Sequence, residues 1–262
     1  MPHTQSFPLA FNRIMMELFQ RLKRKVKKLL YGRKEMAVNL AYDLWAPTYD
    51  EQPENLVVYL NEMIFDEMMA TIDMHNKIVT DVGCGTGKHW QKILYKKPAE
   101  LIGYDVSHEM LAQLRKKYPT AKTFISNNNH LNELTNNSCD VIVSTLVIGH
   151  IEDLASTFIE WNRVLKNNGD ILITDFHPEM LSKGASRSFQ FNEAFVSIKS
   201  YKHTIPQICQ LAKSVNWELI KITEKRVDDS VKYFYKGPQS IEIFEKSVNA
   251  PLVFGCHFKK IG

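Results

Sequence analysis

Between Lys77 and Asp175 the chain alternates short β-branched runs with segments of helical periodicity, and this restricts the fold more than any other feature. Strands are expected at 77–82, 101–106, 123–126, 141–146 and 171–175, with helices at 89–95, 109–117 and 154–165 between them. Units of this kind build a parallel sheet with helices on both faces. The tail changes character, with a helix near 205–215 and strands at 217–223 and 252–259. Upstream, a helical stretch through Ala41, Tyr42, Leu44 and Trp45 is stopped by Pro47, and a Met- and Leu-rich helix covers 56–72. Residues 1–72 therefore read as an N-terminal amphipathic helix and helical cap, and 73–262 as the core of a single α/β domain.

Charge separates the first of these segments from the rest. From Ala10 to Lys34 the chain holds nine Lys or Arg against Glu17 alone, a local +8 in a protein of net charge +4, so the remainder carries −4. Phe11, Ile14, Met15, Leu18, Phe19, Leu22, Val26, Leu29 and Leu30 fall on one face of a helix. That basic amphipathic helix, residues 10–31, has two readings: a lid with solvated charges, or a seat on an anionic membrane or an acidic carrier protein. Basicity confined to one segment is not the footprint of a nucleic-acid binder, so no nucleic-acid substrate is expected. Cys84, Cys139, Cys209 and Cys256 are scattered, without a C-x-x-C pair, which points to a reducing cytoplasm and offers no zinc cluster. No H-E-x-x-H spacing and no Gly-x-Ser-x-Gly elbow occurs, so metal catalysis and serine hydrolysis are unsupported.

The chemistry concentrates in Asp81-Val82-Gly83-Cys84-Gly85-Thr86-Gly87, directly after the first expected strand. Glycines there let the backbone turn sharply and approach a ligand, at a helix N-terminus rich in free N–H groups. A phosphate-binding P-loop is excluded: Val82 stands where its first glycine belongs, and His89 follows Lys88 where Ser or Thr is required. A dinucleotide site remains as a competing reading, although the third glycine comes one residue early. Asp105, at the end of the second strand and 22 residues beyond Gly83, can accept the hydroxyls of a ribose. The competing role of helix cap falls to Ser107 instead.

These residues resemble the class I S-adenosylmethionine-dependent methyltransferases, and within them the group similar to the quinone-biosynthesis and biotin-precursor enzymes. The resemblance runs from about Tyr42 to Asp175. It rests on Tyr42-Asp43-Leu44-Trp45-Ala46-Pro47-Thr48-Tyr49-Asp50, the glycine loop, Asp105, and Arg163-Val164-Leu165-Lys166-Asn167-Asn168-Gly169. It implies a Rossmann-like seven-stranded sheet, mostly parallel, with an antiparallel last strand. It also implies S-adenosylmethionine as cofactor, S-adenosylhomocysteine as product, and no metal. Gly83, Cys84, Gly85 and Gly87 would hold the methionine part, Asp81 would order the loop, Asp105 would take the ribose, and Val106 would pack on adenine. Thr145 is a further expected cofactor contact. Where the family has an acidic run after the third strand, this chain has Asn127 to His130, so Asn129 and His130 are the candidates for adenine.

Methyl transfer from a sulfonium needs no protonated leaving group, but the acceptor needs a free lone pair or carbanion, hence a base. His150 and His177, after the fourth and fifth strands, are the catalytic candidates and also acceptor contacts. In the family's strand order both would overhang one crevice, and an imidazole there can titrate near neutrality. Tyr42, Trp45 and Tyr49 share a helix face. Resemblance places Tyr49 against the cofactor and Tyr42 and Trp45 near the acceptor. Phe189, Phe191, Tyr201 and His203 are expected to line the acceptor pocket. The expected reaction is methyl transfer to O, C or N of a small, lipophilic or carrier-bound metabolite. The competing classes are a nucleotide-binding oxidoreductase and a non-catalytic protein that keeps the fold.

Overall fold

The computed structural model describes residues 35–51, 55–126, 130–182, 186–192 and 194–262. The helix expected at 10–31, and Asn129, lie outside the described residues.

The cap begins with α1 (Val38–Trp45), which runs into a 3₁₀ turn at Ala46–Thr48 where Pro47 ends the regular helix. Helix α2 (Leu56–Met69) follows, its N-terminus capped by Asn55, whose side chain accepts from the Val58 amide. The core then alternates as the sequence implies: β1 (Ile78–Val82), α3 (Trp90–Tyr95), β2 (Glu100–Asp105), α4 (His108–Lys117), β3 (Lys122–Ile125), β4 (Cys139–Thr145), α5 (Leu154–Val164) and β5 (Leu165–Phe176). Ser107 caps α4 by accepting from the Met110 amide, and Arg115, Lys116 and Lys117 sit at its negative end. After β5 come α6 (Pro178–Ser182), a hairpin of β6 (Ser188–Phe191) and β7 (Ala194–Ser197), α7 (Ile205–Ser214), β8 (Trp217–Arg226), a 3₁₀ turn at Asp229–Phe234, α8 (Pro238–Ser247) and β9 (Pro251–Lys260).

Seven strands form one sheet in the order β3-β2-β1-β4-β5-β9-β8. Neighbours from β3 to β5 pair in parallel, while β9 pairs antiparallel with both β5 and β8. The order reverses direction beside β1 and β4, which opens a crevice at their carboxyl ends. Helix α2 covers one face with Leu60, Ile64, Phe65 and Met68; Phe158 and Trp161 of α5, with Ile208 of α7, cover the other. A third cluster joins α1 to the hairpin through Ala41, Trp45, Phe189, Val196 and Ile198, with Trp45 and Phe189 stacked at 4.5 Å. The cap is thus a helix plus a hairpin.

The structure differs from the sequence reading at three places. Strand β5 starts at Leu165, because Asn167-Asn168-Gly169 lies within the strand beside a register shift between Cys139 and Val141, with Asn168 at φ 63°. The hairpin and α8 were not expected at all. Among the described residues no helix is long and apolar enough to cross a membrane.

Candidate functional site

The glycine loop leaves β1 into a cleft lined by Val82, Gly83, Gly85, Asp105, Val106, Ser126, Thr145, Leu146, Val147 and His150, roofed by Val38, Tyr42 and Tyr49 of the cap. Gly83 has φ 75°, and a Cβ there would fall 2.1 Å from Val147 Cγ2. Both the conformation and the packing therefore exclude a side chain. A Cβ on Gly85 would enter open space, so its backbone faces the cleft unobstructed.

Asp105 organises this loop. One carboxylate oxygen accepts from the Gly85 amide at 2.8 Å and the other from the Ser107 amide at 2.8 Å. Burial pushes its pKa up to about 6, against the lowering effect of those amides. It is only 8% exposed, so this strand-end carboxylate has a structural role in the loop as well.

Asp81 does not line the cleft; its carboxylate accepts from the Trp90 indole at 2.9 Å and so pins α3 beneath the loop. Burial, reinforced by nearby Asp105, lifts its pKa to about 7. Since the unfolded value is near 3.8, the folded protein binds this proton more tightly, and stability falls as pH rises through the window from about 4 to 7. Asp81→Asn keeps the acceptor for Trp90 without the charge. Its stability relative to the parent in urea unfolding is expected to be greatest at pH 8 and to shrink towards pH 5.5; a pH-independent difference would contradict the buried-charge assignment.

The cap is tied down by two carboxylates. Asp43 accepts from the Ser107 hydroxyl at 2.6 Å and the Glu109 amide at 3.1 Å, and Asp50 accepts from the Thr86 hydroxyl at 2.7 Å and the Lys117 ammonium at 2.8 Å. These ties hold Tyr42 and Tyr49 over the cleft. Trp45 is stacked on Tyr42 at 5.8 Å and meets Tyr49 edge-on at 5.0 Å.

A second cavity opens beside the first, lined by Tyr42, Trp45, Tyr49, Asn55, Val57, Val58, Leu146, Phe176, Arg187 and Ile198. Tyr42, Tyr49 and Leu146 form the wall common to both. Leu146, at φ 60°, holds an uncommon backbone conformation for a branched residue, fixed by its amide donating to Thr174 O at 2.8 Å.

His150 reaches this wall. Its Nδ1 is 3.0 Å from the Lys199 carbonyl, which can only accept, so Nδ1 carries the proton. Burial, helped by the Arg187 charge, pushes its pKa down to about 4, so the ring is neutral and Nε2 holds a lone pair. The Tyr42 hydroxyl lies 2.9 Å from Nε2 and donates to it. The expectation that this imidazole titrates near neutrality is thereby corrected.

His177 is not in the crevice. Its Nδ1 accepts from the Glu179 amide at 3.2 Å, capping α6, and its Nε2 is 3.3 Å from Glu224 on β8. The ring lines neither cavity. Tyr201 donates to Glu152 at 2.8 Å, and with His203 it borders a separate small recess beside Asp175 rather than the acceptor cavity. Phe189 and Phe191 pack within the cap cluster, Phe189 also edging an open groove. His130 is exposed and does not line the glycine-loop cleft among the described residues, while Ser126, unremarked in the sequence, lines the cleft at the end of β3. Cys84 and Gly87 support the loop from behind, Cys84 buried against Gly103 and Gly87 against Leu114. Arg187 and Leu146 also escaped the sequence reading. No sequence pattern marks them, because each gains its position only from strand ends brought together by the fold.

Residues 80–173 match the family described as "Methyltransferase domain". The chain is 28% identical over 160 residues to a demethylmenaquinone methyltransferase of Chlorobaculum tepidum, covering 56% of this chain and 62% of that protein. It is 27% identical over 151 residues to a malonyl-[acyl-carrier protein] O-methyltransferase of Halorhodospira halophila, covering 55% and 49%. The chain thus spans about half to three fifths of the length of these relatives. An S-adenosylmethionine-dependent methyltransferase of Mesorhizobium loti superposes with a TM-score of 0.59 at 15% identity, over 75% of this chain and 97% of that one, which is a likeness of fold. Residues 80–173 thus match a methyltransferase domain, and the strand order and glycine-loop cleft around them give the chain the fold of the class I S-adenosylmethionine-dependent methyltransferases.

Proposed function

We propose that this protein transfers a methyl group from S-adenosylmethionine to a small acceptor bound in the cavity behind Tyr42. The observation that carries this reading is the common wall: among the described residues, Tyr42, Tyr49 and Leu146 line both the glycine-loop cleft and the acceptor cavity. The cleft fits the cofactor. Gly83 and Gly85 present backbone without side chains, the remaining lone pairs of Asp105 suit a ribose, and Val106, with Ser126 nearby, offers an apolar flank for adenine. When bound, the cofactor supplies an electrophilic methyl on a sulfonium that leaves as a neutral thioether. Tyr42 and Tyr49 place aromatic faces where that cation would sit. Trp45, Val57, Val58 and Phe176 exclude water from the acceptor, and the Tyr42–His150 pair draws off its proton, with Tyr42 passing its own to Nε2 as it receives the acceptor's.

The acceptor is lipophilic or carried on a long arm. An open groove bordered by Phe189, Phe195, Phe234, Tyr235 and Ile243 adjoins the acceptor cavity, the two having Asn55, Val57 and Ser188 in common. A molecule whose reactive end lies against Tyr42 can leave through that groove. The relatives named for a quinone and for a carrier-bound acyl group support this reading.

Incubating a cell extract with the protein and isotope-labelled S-adenosylmethionine, then searching for labelled small products by mass spectrometry, tests the proposal. A labelled metabolite is expected. Tight S-adenosylhomocysteine binding without any labelled product would favour a non-catalytic protein of this fold, and preferential binding of NAD in calorimetry would favour the oxidoreductase.

A further inference from the structure

We propose that Arg187 recognises an oxygen-centred anion on the acceptor, so that the methylated molecule is a phenolate, enolate or carboxylate rather than an amine. This rests on the reading of the second cavity as the acceptor site. Among the described residues Arg187 is the one cationic side chain lining that mostly apolar cavity, and its side chain is 11% exposed.

Its guanidinium is held in a built socket. One Nη donates to Asp175, the other to the Leu146 carbonyl at 3.3 Å. Asp175 is fixed in turn by the amides of Gly149 at 2.7 Å and Phe176 at 2.6 Å. The group lies so close over Gly149 that a Cβ there would fall 2.2 Å from Nη2, so this glycine is required for the guanidinium to fit. Each Nη keeps a second hydrogen beyond these bonds, and the Nε–H is buried and has no partner among the described residues. A buried donor left unpaired is costly, and a donor on a charged group prefers a charged acceptor.

The site also lacks what an amine would want. The only carboxylate at the socket, Asp175, is already taken by Arg187 and two backbone amides, and His150 and Tyr42 are neutral. An ammonium would meet the guanidinium charge without a free counter-charge. An acceptor that passes a proton to the Tyr42–His150 pair instead develops negative charge within reach of a fixed cation.

Benzoate and benzylamine, of similar size and opposite charge, are probes for calorimetry on the S-adenosylhomocysteine-saturated protein. The parent is expected to prefer benzoate by about tenfold or more, the value of one charged hydrogen bond. Arg187→Lys keeps a cation beside Asp175 but removes the fork and Nε–H. Arg187→Met combined with Asp175→Asn removes the ion pair without stranding a buried charge. Both are expected to lose the preference while keeping S-adenosylhomocysteine affinity. The proposal is overturned if the parent binds neither probe, shows no preference or favours benzylamine, or if the preference survives in both variants. Failure of the parent to bind S-adenosylhomocysteine at all would instead strike at the methyltransferase reading.

Discussion

Asp105→Ala is expected to weaken S-adenosylhomocysteine binding by between about 10²- and 10⁴-fold, the loss of two charged hydrogen bonds to ribose hydroxyls. It should also lower thermal stability. The carboxylate accepts from the Gly85 and Ser107 amides, so truncation leaves the buried Ser107 donor and the part-buried Gly85 donor without this partner and releases the loop that forms the cleft floor. Asp105→Asn separates the two effects in part, because one amide oxygen still accepts while its NH₂ group faces an N–H it cannot pair with. The pH dependence supplies a second check. With a pKa of about 6 in the free protein, the carboxylate is ionised above that value, and ribose hydroxyls that donate to it favour the charged form. Affinity is therefore flat above about pH 6 and falls towards tenfold per unit below it, and this slope should vanish in the Asn variant. Unchanged affinity in both variants would remove Asp105 from the cofactor site.

The parts of this molecule legible in its sequence are those whose cause is local. Glycine spacing after a β-branched run, an acid at the next strand end and the aromatic spacing of Tyr42, Trp45 and Tyr49 all report short-range geometry, and the structure brings Gly83, Gly85, Asp105, Tyr42 and Tyr49 to one crevice with Trp45 packed on the two tyrosines. Asn167 to Gly169 has the composition of a turn, yet the strand continues through it because β5 bulges there, its register running from Leu165 to Asp170 while β4 runs from Cys139 to Val141. His177 shows the limit more sharply. Its position after a strand was correctly inferred, but the direction of its ring was decided by the Glu179 amide it caps and by Glu224, almost fifty residues on. Arg187 carried no signal of its own: its socket is assembled from residues 146, 149 and 175. Likewise Tyr42 read as an aromatic stripe, and only its distance to His150, 108 residues away, gives it a part in proton movement.

His150→Ala is expected to keep S-adenosylhomocysteine affinity and lose turnover by a factor of about 10² to 10⁴, the usual value of a positioned base. Nε2 is 2.9 Å from the Tyr42 hydroxyl, and the Lys199 carbonyl fixes the tautomer that leaves this nitrogen free to accept. Because the imidazole is held near pKa 4, it is unprotonated throughout the physiological range, so the parent rate should show no inflection from this group between pH 6 and 8. In the Ala variant the rate should climb with pH as the acceptor ionises unaided. Tyr42→Phe keeps the ring against Trp45 and Tyr49 but breaks the chain of hydrogen bonds, so it should reproduce the turnover defect and its pH rescue while KM for the cofactor stays near the parent value. His177→Ala, by contrast, should cost stability through the lost α6 cap and leave kcat unaltered. Parent-like turnover in both His150→Ala and Tyr42→Phe, measured with the acceptor found by isotope labelling, would show that the acceptor reaches its reactive form without help from this pair.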